Sequence, residues 1–269
     1  MNINPNNTMT SIPLMQNMAS EGKSPDILFW VGCAGSFDER YKKVTIAICK
    51  ILHHLQINYA ILGAEETCTG DPARRAGNEF LFQMQAMQNI QVLNGYKIKK
   101  IVTACPHCFN TLKNEYPELG GQYEVIHHTQ LLQQLINEGK IKLKGTGSFE
   151  GKKFTYHDSC YLGRANEVYE APREVLAALD ADLTEMKRSR KHGLCCGAGG
   201  AQMFKEPEKG HQDINIARTE EALSTGAQYV ATACPFCMVM MGDGVKNKGK
   251  EDTVKVMDVA EYVSAAMKL

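Results

Sequence analysis

Nine of the ten cysteines fall into two sets whose spacing is that of metal ligands drawn from separate loops. The later set comprises Asp-Ser-Cys160, Gly193-Leu-Cys-Cys-Gly-Ala-Gly-Gly200 and Thr-Ala-Cys234-Pro-Phe-Cys237. Thirty-four residues intervene between Cys160 and Cys195, and thirty-seven between Cys196 and Cys234. Cys160, Cys195, Cys196, Cys234 and Cys237 therefore meet only if the fold brings three loops together. The glycines after the Cys-Cys pair allow a close wrap, because glycine takes positive φ cheaply. Successive N–H groups of such a turn can point at anionic sulfur.

The earlier set repeats this layout. Thirty-four residues again intervene between Cys33 and Cys68, and Thr-Ala-Cys105-Pro-His-Cys108 matches the later Cys-Pro-x-Cys segment. The two sets are offset by 127 residues at the first two positions and by 129 at the Cys-Pro-x-Cys pairs, which points to an internal duplication. One position differs. Cys195-Cys196-Gly197 corresponds to Cys68-Thr69-Gly70, so the first copy offers four thiols (Cys33, Cys68, Cys105, Cys108) and the second offers five.

A lone Cys-x-x-Cys suits a redox dithiol or half of a zinc site, but distant partner cysteines argue against the dithiol. Structural zinc takes four ligands, whereas iron–sulfur clusters are held by thiolates. Five thiols in the second copy therefore point to a cluster, with Cys195 and Cys196 as the candidate reactive pair. Four in the first suit either a 4Fe-4S cluster or tetrahedral zinc.

The elements that must position these residues are strands that end at cysteines. Residues 26–32, 58–63, 99–103 and 123–127 read as strands of the first copy, and 154–157, 183–187, 228–232 and 254–257 as those of the second. Helices are expected over 39–55, from Pro72 onward, from the Cys105 loop, from an N-cap at Thr129 through Ile136, over 167–179, across most of 203–224, beneath Cys234 and to Met267. Strands alternating with helices imply an α/β fold of two tandem pseudo-repeated domains. Each is a small, mainly parallel sheet flanked by helices, with cysteine loops at the carboxyl ends of the strands. Residues 1–24 read as a flexible leader, 25–142 as the first domain and 150–269 as the second. The glycine- and lysine-rich stretch 139–153 reads as a surface connection or exposed hairpin.

Thirty basic residues balance thirty acidic ones without a long like-sign run, which gives no reason to expect nucleic-acid binding. No stretch approaches eighteen apolar residues and no secretory leader opens the chain, so a cytoplasmic, reducing location is expected. In that compartment clustered cysteines bind metal or do redox chemistry. Cys49 reads as a small buried helix residue and Met238 to Met241 as helix core. His107 is expected to be exposed. His157 and Asp158 are placed either to shuttle protons or to hold their loop by hydrogen bonds, and Arg74 and Arg75 either to steady an anionic group or to form a solvated face. The glycines lack dinucleotide spacing, and no flavin or nicotinamide site is seen.

Over about residues 26–260 these motifs resemble the cysteine-rich CCG domain. That domain is shared by heterodisulfide reductase catalytic subunits and the iron–sulfur subunits of lactate, glycolate and glycerol-3-phosphate oxidising systems. The resemblance implies that Cys160, Cys195, Cys196, Cys234 and Cys237 bind a non-cubane 4Fe-4S cluster, at which relatives cleave a disulfide. It also implies that Cys33, Cys68, Cys105 and Cys108 are the corresponding set, with Thr69 in place of an adjacent cysteine. The expected function is an iron–sulfur subunit of a heterodisulfide-reductase-like oxidoreductase that transfers electrons and reduces a disulfide. Its expected partner is a ferredoxin-like, flavoprotein or membrane cytochrome subunit. The rivals are a zinc- or cluster-binding adaptor and a metal-free dithiol oxidoreductase using Cys234 and Cys237.

Overall fold

A computed structural model describes residues 11–206 and 210–269. Its first half runs α1 (Met15–Ser20), β1 (Ile27–Trp30), α2 (Gly32–Phe37), α3 (Lys42–His54), β2 (Tyr59–Ala60), α4 (Asp71–Arg75), α5 (Glu79–Gly95), β3 (Lys100–Thr103), α6 (Pro106–Asn110), β4 (Glu124–His127) and α7 (His128–Asn137). The second half runs β5 (Lys153–Tyr156), α8 (Glu170–Ala178), β6 (Asp182–Leu183), α9 (Ile214–Ser224), β7 (Tyr229–Thr232), α10 (Pro235–Asn247), β8 (Lys255–Asp258) and α11 (Val259–Ala266).

Each half builds a four-stranded, all-parallel sheet, in the orders β2-β1-β3-β4 and β6-β5-β7-β8. The expected α/β architecture is present, as is the repeat. Central strands of parallel sheets are covered on both faces and so run apolar; β1 is the clearest case, with all four of its residues buried. The cysteine loops leave the carboxyl ends of β1, β3, β5 and β7.

Several elements differ from their expected form. Residues 1–10 of the expected leader lie outside the described residues. Residues 11–24 are not a loose leader: Leu14 bridges Ile61, and Met15 and Met18 of α1 are buried in the core. Helix 39–55 shortens to α3, and Cys33 lies in a separate helix, α2. The helix from Pro72 breaks at Gly77, whose φ is 87°, and restarts at an Asn78 cap whose side chain accepts from Leu81 N at 3.0 Å. Thr129 is not the cap of α7. His127 holds that place, its N–H donating to Gln130 Oε1 at 3.0 Å. Strand 183–187 contracts to β6. Of the helical stretch 203–224, residues 207–209 lie outside the described residues, and a short 3-10 turn (Gln202–Phe204) and α9 are formed.

The connection 139–153 runs over the surface as expected but forms no hairpin, and three apolar side chains pin it down. Ile141, Leu143 and Phe149 are buried, and the Phe149 ring meets Phe154, Tyr229 and Tyr262 edge-on at 5.6, 5.8 and 5.4 Å. One continuous core joins the halves, running from Val44 and Ile48 of α3 to Val259 and Val263 of α11. Polar contacts cross the same seam. His128 Nε2 lies 2.9 Å from Asp258 Oδ1, the Tyr41 hydroxyl 3.4 Å from Asp258 Oδ2, and Arg40 grips Glu261 at 2.7 and 2.9 Å.

Helix α10, which carries two cysteines at its start, is seated by a close crossing with α9. A Cβ at Gly244 would lie 2.0 Å from Thr219 Oγ1 and 3.2 Å from Asn215 O. Gly244→Ala is therefore expected to lower stability by about 1–3 kcal/mol through overpacking, read as a shift of the urea midpoint at unchanged slope.

Candidate metal centre

At the rim of the second sheet the five later cysteines form one connected group. The Cys196 and Cys237 sulfurs are 3.4 Å apart, and Cys160 with Cys195, Cys195 with Cys196, and Cys237 with Cys234 are near enough to shift each other's protonation. Three loops thus converge, as the spacing demands. Cys234 caps α10, with Pro235 in the first helical position. The Cys-Cys turn is closed by Gly197, whose φ of 94° lets its N–H donate to Cys195 Sγ at 3.3 Å.

The earlier set is built the same way. Gly70, at φ 89°, donates its N–H to Cys68 Sγ at 3.5 Å, and Cys105 caps α6 ahead of Pro106. Cys33 and Cys68, and Cys105 and Cys108, are near enough to shift each other's protonation. Thr69, 1% exposed, takes the place of Cys196: its hydroxyl donates to Cys108 Sγ at 3.8 Å, where the second half sets sulfur against sulfur. The difference between the copies is therefore one ligand atom inside a matching frame.

The sulfurs are close enough to compete for protons. Cys195 is pushed far down by its hydrogen bonds with Cys160 and then Cys196, with a smaller contribution from the Gly197 N–H, while Cys160 is pushed up by the same bond to Cys195 and by burial. Cys68 is lowered to about 7 by its bond with Cys33, and Cys33 is raised in return. None of the ten cysteines is in a disulfide. Crowded, partly buried thiols that settle their charge on one member suit a metal that takes several thiolates at once. The donor sets, all sulfur and one larger than the other, fit an iron–sulfur group in the second half and either an iron–sulfur group or zinc in the first.

The family model of the cysteine-rich CCG domain matches residues 27–113 and 154–242, one match per half. The chain belongs to the CCG family. Among CCG relatives it is 47% identical over 257 residues to the "Probable iron-sulfur-binding oxidoreductase FadF" of Bacillus subtilis, covering 95% of this chain and 36% of that one. It is 44% identical to the "EtfAB:quinone oxidoreductase" of Syntrophomonas wolfei, covering 93% of this chain and 35% of that one. To a subunit of the dihydromethanophenazine:CoB--CoM heterodisulfide reductase of Methanosarcina barkeri it is 36% identical, covering 91% of this chain and 59% of that one. The chain thus spans only about a third to three-fifths of these relatives' lengths.

Around the CCG cysteines several residues depart from expectation. His107 is buried, not exposed. Its Nδ1 lies 2.8 Å from Asp71 Oδ2, and its ring stacks on Tyr161 at 4.3 Å and meets Phe236 edge-on at 5.0 Å. His107 and Phe236 are the middle residues of the two Cys-Pro-x-Cys segments, so the two centres share a wall there. Arg74 and Arg75 form neither a solvated face nor a clamp on the thiols. Both end on Glu115, and Arg75 also reaches Asp71 at 3.2 Å. Cys49 is core, and Met238 and Met241 are buried on α10 as expected.

Of the two expected roles, Asp158 takes that of holding the loop, while His157 stands beside the sulfurs. Asp158 takes a bidentate pair from Arg173 at 2.8 and 2.9 Å and accepts from Arg190 N at 2.7 Å, which holds the loop before Cys160. His157 Nδ1 accepts from Arg218 Nε at 2.9 Å, and a ring nitrogen of His157 lies within 4.8 Å of the Cys196 and Cys237 sulfurs. Sequence reasoning misses Arg173, Arg218 and Glu66. Glu66, pushed up to about 7 by burial, accepts from Val31 N at 3.0 Å and Gly32 N at 2.5 Å and so fixes the approach to Cys33. Buried arginines on amphipathic helices carry no sequence signal that separates them from surface ones.

Burial, and then the neighbouring His128, hold the His127 imidazole well below its usual range. The unfolded chain takes up this proton below about pH 6.5 and the folded chain does not. His127 therefore lowers stability as pH falls from about 6.5 to 5, by up to ~1.4 kcal/mol per pH unit. His127→Asn keeps a good cap and should flatten that slope in urea titrations across the interval; an unchanged slope would place the proton uptake elsewhere.

Proposed function

We propose that the chain is an iron–sulfur module of a heterodisulfide-reductase-like oxidoreductase, working in the cytoplasm. Its redox centre is a non-cubane 4Fe-4S cluster held by Cys160, Cys195, Cys196, Cys234 and Cys237. The observation that carries this reading is the connected group of five sulfurs drawn from three loops. Zinc leaves the fifth without a purpose, and a dithiol leaves three. Similarity to relatives named as an iron–sulfur-binding oxidoreductase and a heterodisulfide reductase supports it.

When bound, the cluster supplies one-electron transfer. The chain's own residues hold it, keep water from it and shape access to it. Cys234 and Cys237 sit on the rigid start of α10, while the Gly197 N–H steadies Cys195 as thiolate. Cys33, Cys68, Cys105 and Cys108 hold a second metal group, a 4Fe-4S cluster or zinc. A cavity of about 230 Å³ opens beside the first centre, lined by Cys33, Phe37, Tyr41, Phe204, Phe236 and Val239. It offers room for a disulfide next to Cys33. Its electrons are exchanged through a ferredoxin-like, flavoprotein or membrane cytochrome subunit or domain; among the described residues no helix is long and apolar enough to cross a membrane.

Anaerobic purification with counts of iron, sulfide and zinc tests this. Brown protein with about four irons or more per chain, and acid-labile sulfide, is expected. Zinc alone would favour an adaptor, and metal-free protein a Cys234–Cys237 dithiol; either overturns the proposal.

A further inference from the structure

The ring of His157 stands at the end of the central strand of the second sheet, 1% exposed, with its backbone N–H on Ala231 O at 2.9 Å. Its two ring nitrogens have different surroundings. Nδ1 accepts from Arg218 Nε at 2.9 Å, whereas Nε2 is buried without any hydrogen-bond partner. Arg218 is itself fully buried and held by the Arg188 carbonyl at 2.8 Å and Glu221 at 3.1 Å.

A guanidinium N–H only donates, so Nδ1 must present its lone pair and the ring proton must sit on Nε2. With Cys196 and Cys237, His157 has the spacing of a metal-binding trio. The tautomer rules that role out, because Nε2 has no lone pair to give while Arg218 holds Nδ1. What remains is a buried N–H, of fixed tautomer, on a ring one of whose nitrogens lies within 4.8 Å of the Cys196 and Cys237 sulfurs. A buried donor left unpaired is costly, and those sulfurs are the groups beside the ring for a bound cluster to share.

The duplication places a similar group in the first half. The residue 127 positions before His157 is Trp30, fully buried, whose indole Nε1–H likewise has no partner. Indole nitrogen can only donate. Both copies thus set an obligatory N–H donor three residues ahead of their first cysteine.

We propose that His157, with its tautomer fixed by Arg218, donates an Nε2–H···S hydrogen bond to the second-half iron–sulfur group and thereby raises its reduction potential. This rests on the cluster reading above. Hydrogen bonds to cluster sulfur favour the reduced, more negative state, so their removal makes reduction harder. Arg218 acts as a positioning residue.

Two measurements on anaerobically prepared, iron-loaded protein test this. First, wild-type protein carrying ¹⁵N-histidine is poised in its paramagnetic state for pulsed electron paramagnetic resonance. A weak histidine nitrogen coupling with a deuterium-exchangeable proton is expected. A strong coupling of a directly bound nitrogen, or no histidine coupling, overturns the proposal. Second, His157→Leu should lower the one-electron reduction equilibrium about tenfold, ~59 mV, with iron content unchanged. His157→Gln, which keeps a donor near the Nε2 position, should recover most of the shift. Equal potentials in wild type and His157→Leu overturn the proposal. Should His157→Leu not hold iron, the labelled wild type still decides. Arg218→Met, which frees the tautomer, should weaken the exchangeable-proton coupling, and an undiminished coupling removes Arg218 from the account. Absence of iron from the wild type would instead defeat the cluster reading itself.

Discussion

Cys196→Ser is expected to strip the second centre of its iron, leaving only the metal that the first centre holds and abolishing the visible absorbance of the second. Cys196 is 3% exposed and joins Cys195 to Cys237, so its loss breaks the connected sulfur group in the middle. Serine is nearly isosteric, but an alcohol stays protonated where a thiol yields a thiolate, and soft iron sites select sulfur. The repeat supplies the control. Thr69 already places a hydroxyl at the matching position against Cys108 without disturbing the Gly70 turn. An oxygen there is compatible with the fold, so the loss reports on ligation and not on misfolding. Circular dichroism should match wild type while iron and sulfide counts fall. Unchanged iron and colour would remove Cys196 from the ligand set.

Asp258→Ala is expected to cost about 3 kcal/mol, from a buried donor left unsatisfied together with a lost helix cap. Asp258 is fully buried. It accepts from Ala260 N at 2.9 Å to cap α11, and from His128 across the seam between halves at 2.9 Å. The truncation exposes an uncapped helix end and leaves His128 Nε2 without its acceptor. Asp258→Asn keeps the cap and an oxygen for His128, and should lose much less. Denaturant titrations at equal metal content measure both, and a loss below about 1 kcal/mol for alanine would mean that the seam is held by apolar packing alone.

How much of this was legible in the sequence depends on whether the signal was local. The strands ending at Cys105 and Cys234, the Cys-Pro-x-Cys helix starts and the matching of Thr69 with Cys196 follow from short patterns read twice, and each copy checks the other. The packed α1, the anchoring of the connection by Phe149 and the burial of His107 depend on contacts with residues far along the chain, and no local composition marks them. His107 misleads because a histidine between two cysteines is polar by type. Only the fold shows that Asp71, Tyr161 and Phe236 enclose it. Arg218 and Arg173 were invisible for the same reason, since their partners His157, Asp158 and Glu185 lie 12 to 61 residues away.

Because Val44 and Ile48 of α3 finish their burial against α11, neither repeat remains a cassette that can be lifted out. An ancestor of one repeat length would have had to cover the same apolar faces by pairing with its twin. Fusion made that association permanent and left each copy free to drift, one trading a sulfur for a threonine while its neighbour kept the full complement. Attempts to transplant a single repeat into another scaffold should therefore carry its opposite number along.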